Sequence, residues 1–373
     1  MMQQTPSVHP RKVAFVFTSM PVGGAEDFAL GVGPHLAPDY EAHYVCLREL
    51  GRLGEEAKNA GRNVHCVPVF ASRWITPWAV RKFAAWLREE NISLVHSQTR
   101  HAHVFATKAA SQLGIPCVVH QQKTLEKLPL RRGAIFRACL RRASHVVALS
   151  RQTACDLSRL YGLPADRVSV VPNGIEESVF KPSGDRRALR RELGLPSEGL
   201  LLGTVGRLHD EKSHETTIMA VAEARRQGTA VTAVFVGEGS LRNKLEHQAR
   251  QSGVADAFIF AGARRPIVPW LQVLDLFVLA SVWEGQPLAL LQAIACGLPV
   301  LASNIEGNTA VLGNNHPGLF PPRDHLWLTK LIVTASREPG FLRQVQDFQK
   351  RIELPSAEQS AQTLASLYRS LSP

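Results

Sequence analysis

Two stretches carry side chains whose types and spacing suit the handling of a phosphate group. Gly203–Lys212 reads GTVGRLHDEK and sets Arg207 and Lys212 five positions apart, just past a run of strand character. Arginine offers phosphate oxygens a planar fork of donors, and lysine adds a mobile point charge. Together they would hold a diphosphate and stabilise the charge that grows on it as a leaving group, each charge-assisted bond contributing about 1.5–3 kcal/mol. The same spacing also permits a surface ion pair with Asp210 or Glu211. The second stretch, Ala280–Ser303, reads ASVWEGQPLALLQAIACGLPVLAS. Its Glu284-Gly285-Gln286-Pro287 segment brings a carboxylate to the start of an apolar helix, where unpaired N–H groups attract polar and anionic ligands.

The elements that must position these groups are strands and helices in alternation. Leu274–Ser281 and Leu298–Ser303 have the length and apolar content of buried strands. Leu288–Cys296 between them is helical in length and apolar on nearly every face, with Pro287 suited to its opening and Gly297 to its end. Upstream, Leu200–Leu208, Val231–Gly237 and Ala257–Ala261 read as strands, and Glu215–Gln227 and Ser240–Ser252 as helices. Two further turns leave this set of strands: FVGEGS at Phe235–Ser240, with Gly237, and AGARR at Ala261–Arg265, which offers Arg264 as another cation.

The first half repeats the plan. Lys12–Ser19 is a buried strand that runs into Gly23-Gly24-Ala25-Glu26 and a helix from about Asp27 to His35. A double glycine there lets backbone approach a ligand, although the dinucleotide spacing G-x-G-x-x-G is absent. Strands follow at Ala42–Leu47, Asn63–Val69, Leu94–Ser97, Pro116–His120, His145–Ser150 and Ser169–Pro172, with helices at Trp78–Glu89 and Ala102–Leu113 among them. Strict alternation implies parallel sheets covered on both faces. The expected fold class is therefore α/β, with two Rossmann-like, doubly wound domains. The boundaries are an N-terminal domain over 1–175, a second domain over 176–354 after the Val171-Pro172-Asn173-Gly174 linker, and an amphipathic terminal helix in 355–373.

Composition limits the setting. With 45% hydrophobic and 20% charged residues, the 373-residue chain has the make-up of a globular protein large enough for two cores. No apolar run reaches membrane-spanning length, and the first twelve residues lack the apolar core of a signal peptide. Six cysteines without a C-x-x-C pair suggest free thiols in a reducing compartment. The expectation is a cytoplasmic protein. Of the formal charge of +11, residues 1–175 hold +10, from 22 basic and 12 acidic side chains. Such a field suits an anionic partner: a phosphorylated substrate, an anionic membrane surface or nucleic acid.

Taken in order, Arg207 and Lys212, Gly237-Glu238-Gly239, Gly262, Asp275, Glu284-Gly285-x-Pro287 and Cys296-Gly297-Leu298-Pro299 resemble the nucleotide-sugar-binding domain of the family 4 glycosyltransferases. Those enzymes have the GT-B fold, in which two Rossmann-like domains face a cleft. Gly23-Gly24-Ala25-Glu26 and the Val171–Gly174 linker extend the likeness over roughly residues 12–320. The resemblance implies retaining, metal-independent transfer from a nucleotide-diphosphate sugar to a glycan or glycolipid acceptor, as in lipopolysaccharide or other surface polysaccharide biosynthesis. No Asp-x-Asp or His/Cys ligand cluster accompanies these motifs, and no cofactor or metal is expected.

By the same resemblance Arg207 and Lys212 hold the donor diphosphate, and Glu284 with the amides from Gly285 onward meets the transferred sugar. Gly23 and Gly24 close over the donor, and Gly237 and Arg264 lie beside the nucleotide. The chain departs from the family pattern at three places. Gln292 stands where a second glutamate falls eight positions after the first, and as a neutral group is a weaker acceptor for ribose hydroxyls. Ala310 occupies another frequent glutamate position. The family histidine falls near Gln122, leaving His120, Gln122 or Lys123 to serve. His96, His101 and His103 lie near the end of another strand, and His101 and His103 are candidates for binding the acceptor.

The segment Lys123–His145 sets Arg131, Arg132, Arg137, Arg141 and Arg142 beside Ile135, Phe136, Cys139 and Leu140. Its pattern fits either docking on anionic lipid or a solvated helix with a core-facing side. Trp74, Trp78 and Trp86 fit sugar stacking, a membrane interface or plain packing. A nucleotide-sugar epimerase and a catalytically weakened binding subunit share the architecture. The epimerase has no use for a basic acceptor surface, while Gln292, Ala310 and the displaced histidine point toward the weakened subunit. Nucleic acid is not an expected partner, since no aromatic-basic or helix-turn-helix signature accompanies the charge.

Overall fold

A computed structural model describes residues 10–69, 76–121, 130–182 and 184–371. The chain divides into two compact units, Met1–Gly174 with Pro355–Pro373, and Ile175–Leu354.

The first unit holds seven strands: β1 (Arg11–Phe17), β2 (Tyr40–Cys46), β3 (Val64–Cys66), β4 (Ile92–Ser97), β5 (Cys117–Gln121), β6 (His145–Ala148) and β7 (Val168–Val170). They pair in parallel in the order β3-β2-β1-β4-β5-β6-β7. Helices cover both faces, which is why the central strands are continuous apolar runs rather than alternating ones. On one face Phe15, Phe17, Leu94 and Val118 pack with Phe28, Val32, Leu364 and Tyr368. On the other, Val16, Val45 and Val95 pack with Val80, Phe83, Phe105 and Ala109. Helix Ala357–Leu371 belongs to the first of these cores through Ala361, Leu364 and Tyr368, so the chain returns to its first unit at its end.

The second unit has six parallel strands: β8 (Leu200–Val205), β9 (Val231–Val236), β10 (Phe258–Gly262), β11 (Leu276–Leu279), β12 (Val300–Ser303) and β13 (Leu319–Phe320), in the order β10-β9-β8-β11-β12-β13. The first connections build the sheet outward from β8 on one side, and the chain then crosses to β11 and builds on the other. The order reverses between β8 and β11, and in open parallel sheets ligands bind beyond the carboxyl ends of the strands at that reversal.

Both units are the doubly wound α/β sheets expected from sequence. Several boundaries differ for physical reasons. The first helix spans Gly24–Val32 rather than starting near Asp27, and Pro34 opens a separate 3₁₀ turn, Gly33–Leu36. Pro287 is the extended N-cap of helix Leu288–Ala295, not its first turn. Helix Arg186–Glu192 is not foreseen at all; the Asp185 carboxylate caps it by accepting from the Ala188 amide at 2.9 Å. The same is true of the two-residue β13 and of helices His325–Arg337 and Pro339–Gln349, which extend the second sheet and its covering layer.

Candidate functional site

The reversal point of the second sheet is where the two stretches singled out above meet. β8 ends at Val205 and delivers Arg207; β11 ends at Leu279 and delivers the loop that carries Glu284. A 3₁₀ turn, Asp210–Lys212, swings Lys212 back toward that loop. Lys212 Nζ donates to Glu284 Oε1 at 2.5 Å, with the two side chains only 14% and 12% exposed. Ser281 Oγ donates to the same carboxylate oxygen at 2.7 Å. Arg207 Nη2 donates to Glu211 Oε1 at 2.8 Å and keeps 44% of its side-chain surface open to solvent. The Val282 amide donates to the Glu211 carbonyl at 2.9 Å and stitches the two loops together.

Neighbouring side chains and one close backbone approach support this constellation. The Arg207 carbonyl accepts a hydrogen bond from His214 Nε2 at 3.1 Å, which assigns the proton of the ring to that nitrogen. Burial pushes the His214 pKa down to about 4, so the ring is neutral near pH 7 and keeps this role. Ser213, between Lys212 and helix His214–Arg226, has φ +46, uncommon for a residue other than glycine, and its hydroxyl meets Thr216 Oγ1 at 2.9 Å. Gly237 has φ +153, and a side chain there would run into the Gly206 carbonyl; β8 and β9 can therefore approach closely at their ends.

The acidic loop rests on the segment after β12. Ser303 Oγ donates to the Ser281 carbonyl, and Asn308 Nδ2 donates to the Ser303 carbonyl at 2.8 Å. A Cβ at Gly307 would sit 2.5 Å from the Glu284 carbonyl oxygen, so glycine is needed for helix Glu306–Leu312 to lie against the loop. The sequence reading missed this support, together with Ser281 and His214, and left Glu211 as one of two ion-pair partners. The signal for Gly307 was a glycine in the first turn of a helix, where it weakens the helix unless something must come close.

The other sequence candidates are dispersed. Gly285 shares the loop of Glu284. Gln292 is buried on helix Leu288–Ala295, eight positions after Glu284 in sequence. Arg264 lies past β10, the edge strand, two strands from the reversal, with its guanidinium 5.2 Å from the Trp270 ring. Gly23 and Gly24 lie in the first unit, where Gly23 is extended and Gly24 opens the helix; Glu26 is folded back beside Gly23 and buried.

His120 requires a correction. Its ring has no exposed surface, stacks on His96 at 5.3 Å and meets Phe28 edge-on at 4.9 Å. Burial lowers its pKa to about 3. In this placement the ring is packed within the core, because its strand position points it into the sheet face that Phe28 covers. His96 bonds the Tyr368 hydroxyl through Nδ1, and His103 Nδ1 lies 2.8 Å from Ser97 Oγ; both are buried, so His103 loses its candidacy for the acceptor. Trp86 packs between Phe83 and His65, whereas Trp78 is 63% exposed. Trp74, Gln122 and Lys123 fall outside the described residues, as do the side chains of Arg131 and Arg132. Among the described residues no group of three His, Cys, Asp or Glu side chains is placed to hold a metal ion.

Comparison with known proteins fits this geometry. Residues 22–179 match the family described as Glycosyltransferase Family 4, and residues 199–337 match Glycosyl transferases group 1. Among solved structures, HepE of Anabaena in complex with UDP and glucose superposes with a TM-score of 0.85 at 22% identity, over 97% of this chain and 100% of that one. WaaG, a glycosyltransferase involved in lipopolysaccharide biosynthesis, gives 0.72 at 18% identity, over 95% and 99%. At such identities the likeness establishes architecture, and the architecture is the α/β GT-B fold.

Curated relatives narrow the class. The UDP-Gal:α-D-GlcNAc-diphosphoundecaprenol α-1,3-galactosyltransferase of Escherichia coli is 30% identical over 248 residues, 63% of each chain. The lipopolysaccharide core biosynthesis mannosyltransferase LpsB of Rhizobium meliloti is 28% identical over 251 residues, 62% of this chain and 67% of that one. The chain spans 63% of the length of the E. coli enzyme and 57% of that of the putative glycosyltransferase EpsF of Bacillus subtilis. The chain belongs to the family 4 glycosyltransferases.

Proposed function

We propose that this protein transfers a sugar from a nucleotide-diphosphate sugar to a glycan or glycolipid acceptor, with retention at the anomeric carbon and without a metal ion. The observation that carries the reading is the convergence of Arg207, Lys212 and Glu284 at the strand-order reversal of the second unit. There the two cations face the diphosphate and stabilise it as the bond to the anomeric carbon breaks. They supply the positive charge that a divalent ion supplies elsewhere. Glu284, fixed by Lys212 and Ser281, hydrogen-bonds the transferred sugar, while Gly285 and the following amides approach it through backbone. Gly237, Gln292 and Arg264 serve the nucleotide side. The relatives named above act on a diphosphoundecaprenol-linked sugar and on lipopolysaccharide core, which supports a glycolipid acceptor and a place in surface glycan assembly.

A lipid-linked acceptor calls for work at the inner face of a membrane, as a peripheral protein. No helix among the described residues is long and apolar enough to cross one. Support for surface binding comes from exposed Trp78 with Lys82 5.4 Å from its ring, and from exposed Ile135, Arg141 and Arg142 on helix Leu130–Arg142. Tryptophan and basic side chains together suit an anionic headgroup layer.

The test incubates the protein with a panel of radiolabelled nucleotide sugars and membrane glycolipid extracts. Transfer that survives EDTA and is lost in Arg207→Ala supports the reading; nucleotide binding without transfer to any extract refutes catalysis. Anomeric configuration of the product, read by NMR, decides retention. Charge reversal at Lys82, Arg141 and Arg142 is expected to lower sedimentation with phosphatidylglycerol vesicles, and unchanged sedimentation refutes the membrane assignment.

A further inference from the structure

The four side chains that meet at the reversal point, Arg207, Glu211, Lys212 and Glu284, have charges that cancel. Each cation faces a carboxylate at hydrogen-bond distance, 2.8 Å for Arg207–Glu211 and 2.5 Å for Lys212–Glu284. The pairing with Glu284 is explained by the sugar-facing role proposed for that residue. The pairing with Glu211 is not. An anion beside the arginine that holds a diphosphate opposes that hold, and Glu211 is well placed to do so. Its side chain is 15% exposed, far less than that of Arg207, and its carbonyl is tied to the Val282 amide at 2.9 Å. The carboxylate is therefore held against Arg207 by the 3₁₀ turn rather than lying loosely on the surface.

We infer that Glu211 is a positioning residue that weakens the grip of Arg207 on the diphosphate and so speeds release of the nucleoside diphosphate product. The inference rests on the donor site proposed above. During transfer the leaving diphosphate gains charge, and two unopposed cations would hold the departed product as firmly as they stabilised its departure. Binding that holds the product as firmly as the transition state speeds the chemical step but slows release, which then limits turnover. A fixed carboxylate takes up part of the arginine's hydrogen-bonding capacity and reduces the net charge of the site. A nucleotide sugar loses less from this than the free product, because it carries less negative charge on its phosphates.

The experiment measures UDP and GDP binding by calorimetry, and steady-state transfer, for wild type, Glu211→Gln and Glu211→Ala. Each variant's folding is checked by its thermal transition, and two neutral substitutions keep the test intact if one misfolds. The expected result is that the dissociation constant for the bound nucleoside diphosphate falls about ten-fold, equivalent to about 1.4 kcal/mol, with a steeper dependence on salt. kcat falls while kcat/KM for the donor holds or rises, and product inhibition strengthens. Glu211→Asp returns these values toward wild type. In an Arg207→Ala background the Glu211 substitution no longer tightens binding. Unchanged or weaker binding in folded Glu211→Gln overturns the inference, and so does equal tightening without Arg207. Failure of the wild type to bind either nucleotide would instead overturn the donor site itself.

Discussion

Replacing Lys212 with methionine separates what this residue does for the fold from what it does for a ligand. Methionine keeps an unbranched stem of similar length and removes the charge. The ion pair with Glu284 spans 2.5 Å between side chains that are 14% and 12% exposed. It lies between exposed pairs, worth about 0.2–1 kcal/mol, and buried ones, whose disruption costs about 3–5 kcal/mol. A loss of about 2 kcal/mol is expected, since Glu284 keeps its bond from Ser281. In a unit of this size that lowers the melting midpoint by about 4–8 °C. Adding Glu284→Gln removes the stranded charge, so the double variant is expected to regain part of the lost midpoint. Ligand affinity behaves differently. Loss of one charge-assisted bond to phosphate weakens nucleoside diphosphate binding by about 1.5–3 kcal/mol, roughly 10- to 150-fold, and the double variant does not recover it. Calorimetric titration with UDP and GDP alongside thermal unfolding reads both quantities. Folded Lys212→Met with wild-type affinity would refute the role of Lys212, and recovery of affinity in the double variant would reduce that role to holding Glu284.

Gly307→Ala forces a Cβ to within 2.5 Å of the Glu284 carbonyl oxygen, and should cost about 1–3 kcal/mol and shift the acidic loop; undiminished transfer and stability would show that the contact yields freely. Asp275 accepts from the Leu201 amide and lies 2.8 Å from buried Arg190 Nη2, so Asp275→Ala strands a buried cation and should destabilise the second unit by about 3–5 kcal/mol in urea titration; a loss below 1 kcal/mol would count against the pair. Burial holds the pKa of His103 and His120 at about 3 and that of His214 and His316 at about 4, below the unfolded value of about 6.5. The unfolded chain therefore binds these protons first. The contribution of neutral burial is complete above about pH 6.5 and is lost as pH falls toward 4 in the second unit and 3 in the first, so the melting midpoint should decline across that window. His120→Leu should flatten the decline, and a midpoint constant from pH 6.5 to 4.5 would contradict the burial of these rings.

The sequence by itself carried the architecture and brought Arg207, Lys212 and Glu284 forward as candidates. Unbroken apolar strands alternating with helices leave little choice but parallel sheets covered on both faces, and the β8 and β11 strand ends were visible in that pattern. Arg207, Lys212 and Glu284 could be singled out because their side-chain types suit a diphosphate and a sugar and fall in the order of a known family's motifs. Short elements escaped: β13 has two residues, too few for any period, and helix Arg186–Glu192 is mostly charged. Only the tertiary structure decided how the charges pair. Spacing allowed Arg207 to meet Asp210, Glu211 or a ligand, and the choice of Glu211, with Lys212 turned to Glu284 seventy-two positions away, depends on the 3₁₀ turn and the strand order. The fate of His120 was decided in the same way. A histidine ending a strand is either a site residue or a core residue according to which sheet face it occupies. Here that face is closed by Phe28 from one helix and shared with His96 and the terminal-helix Tyr368, contacts that join residues up to 272 positions apart and leave no local trace.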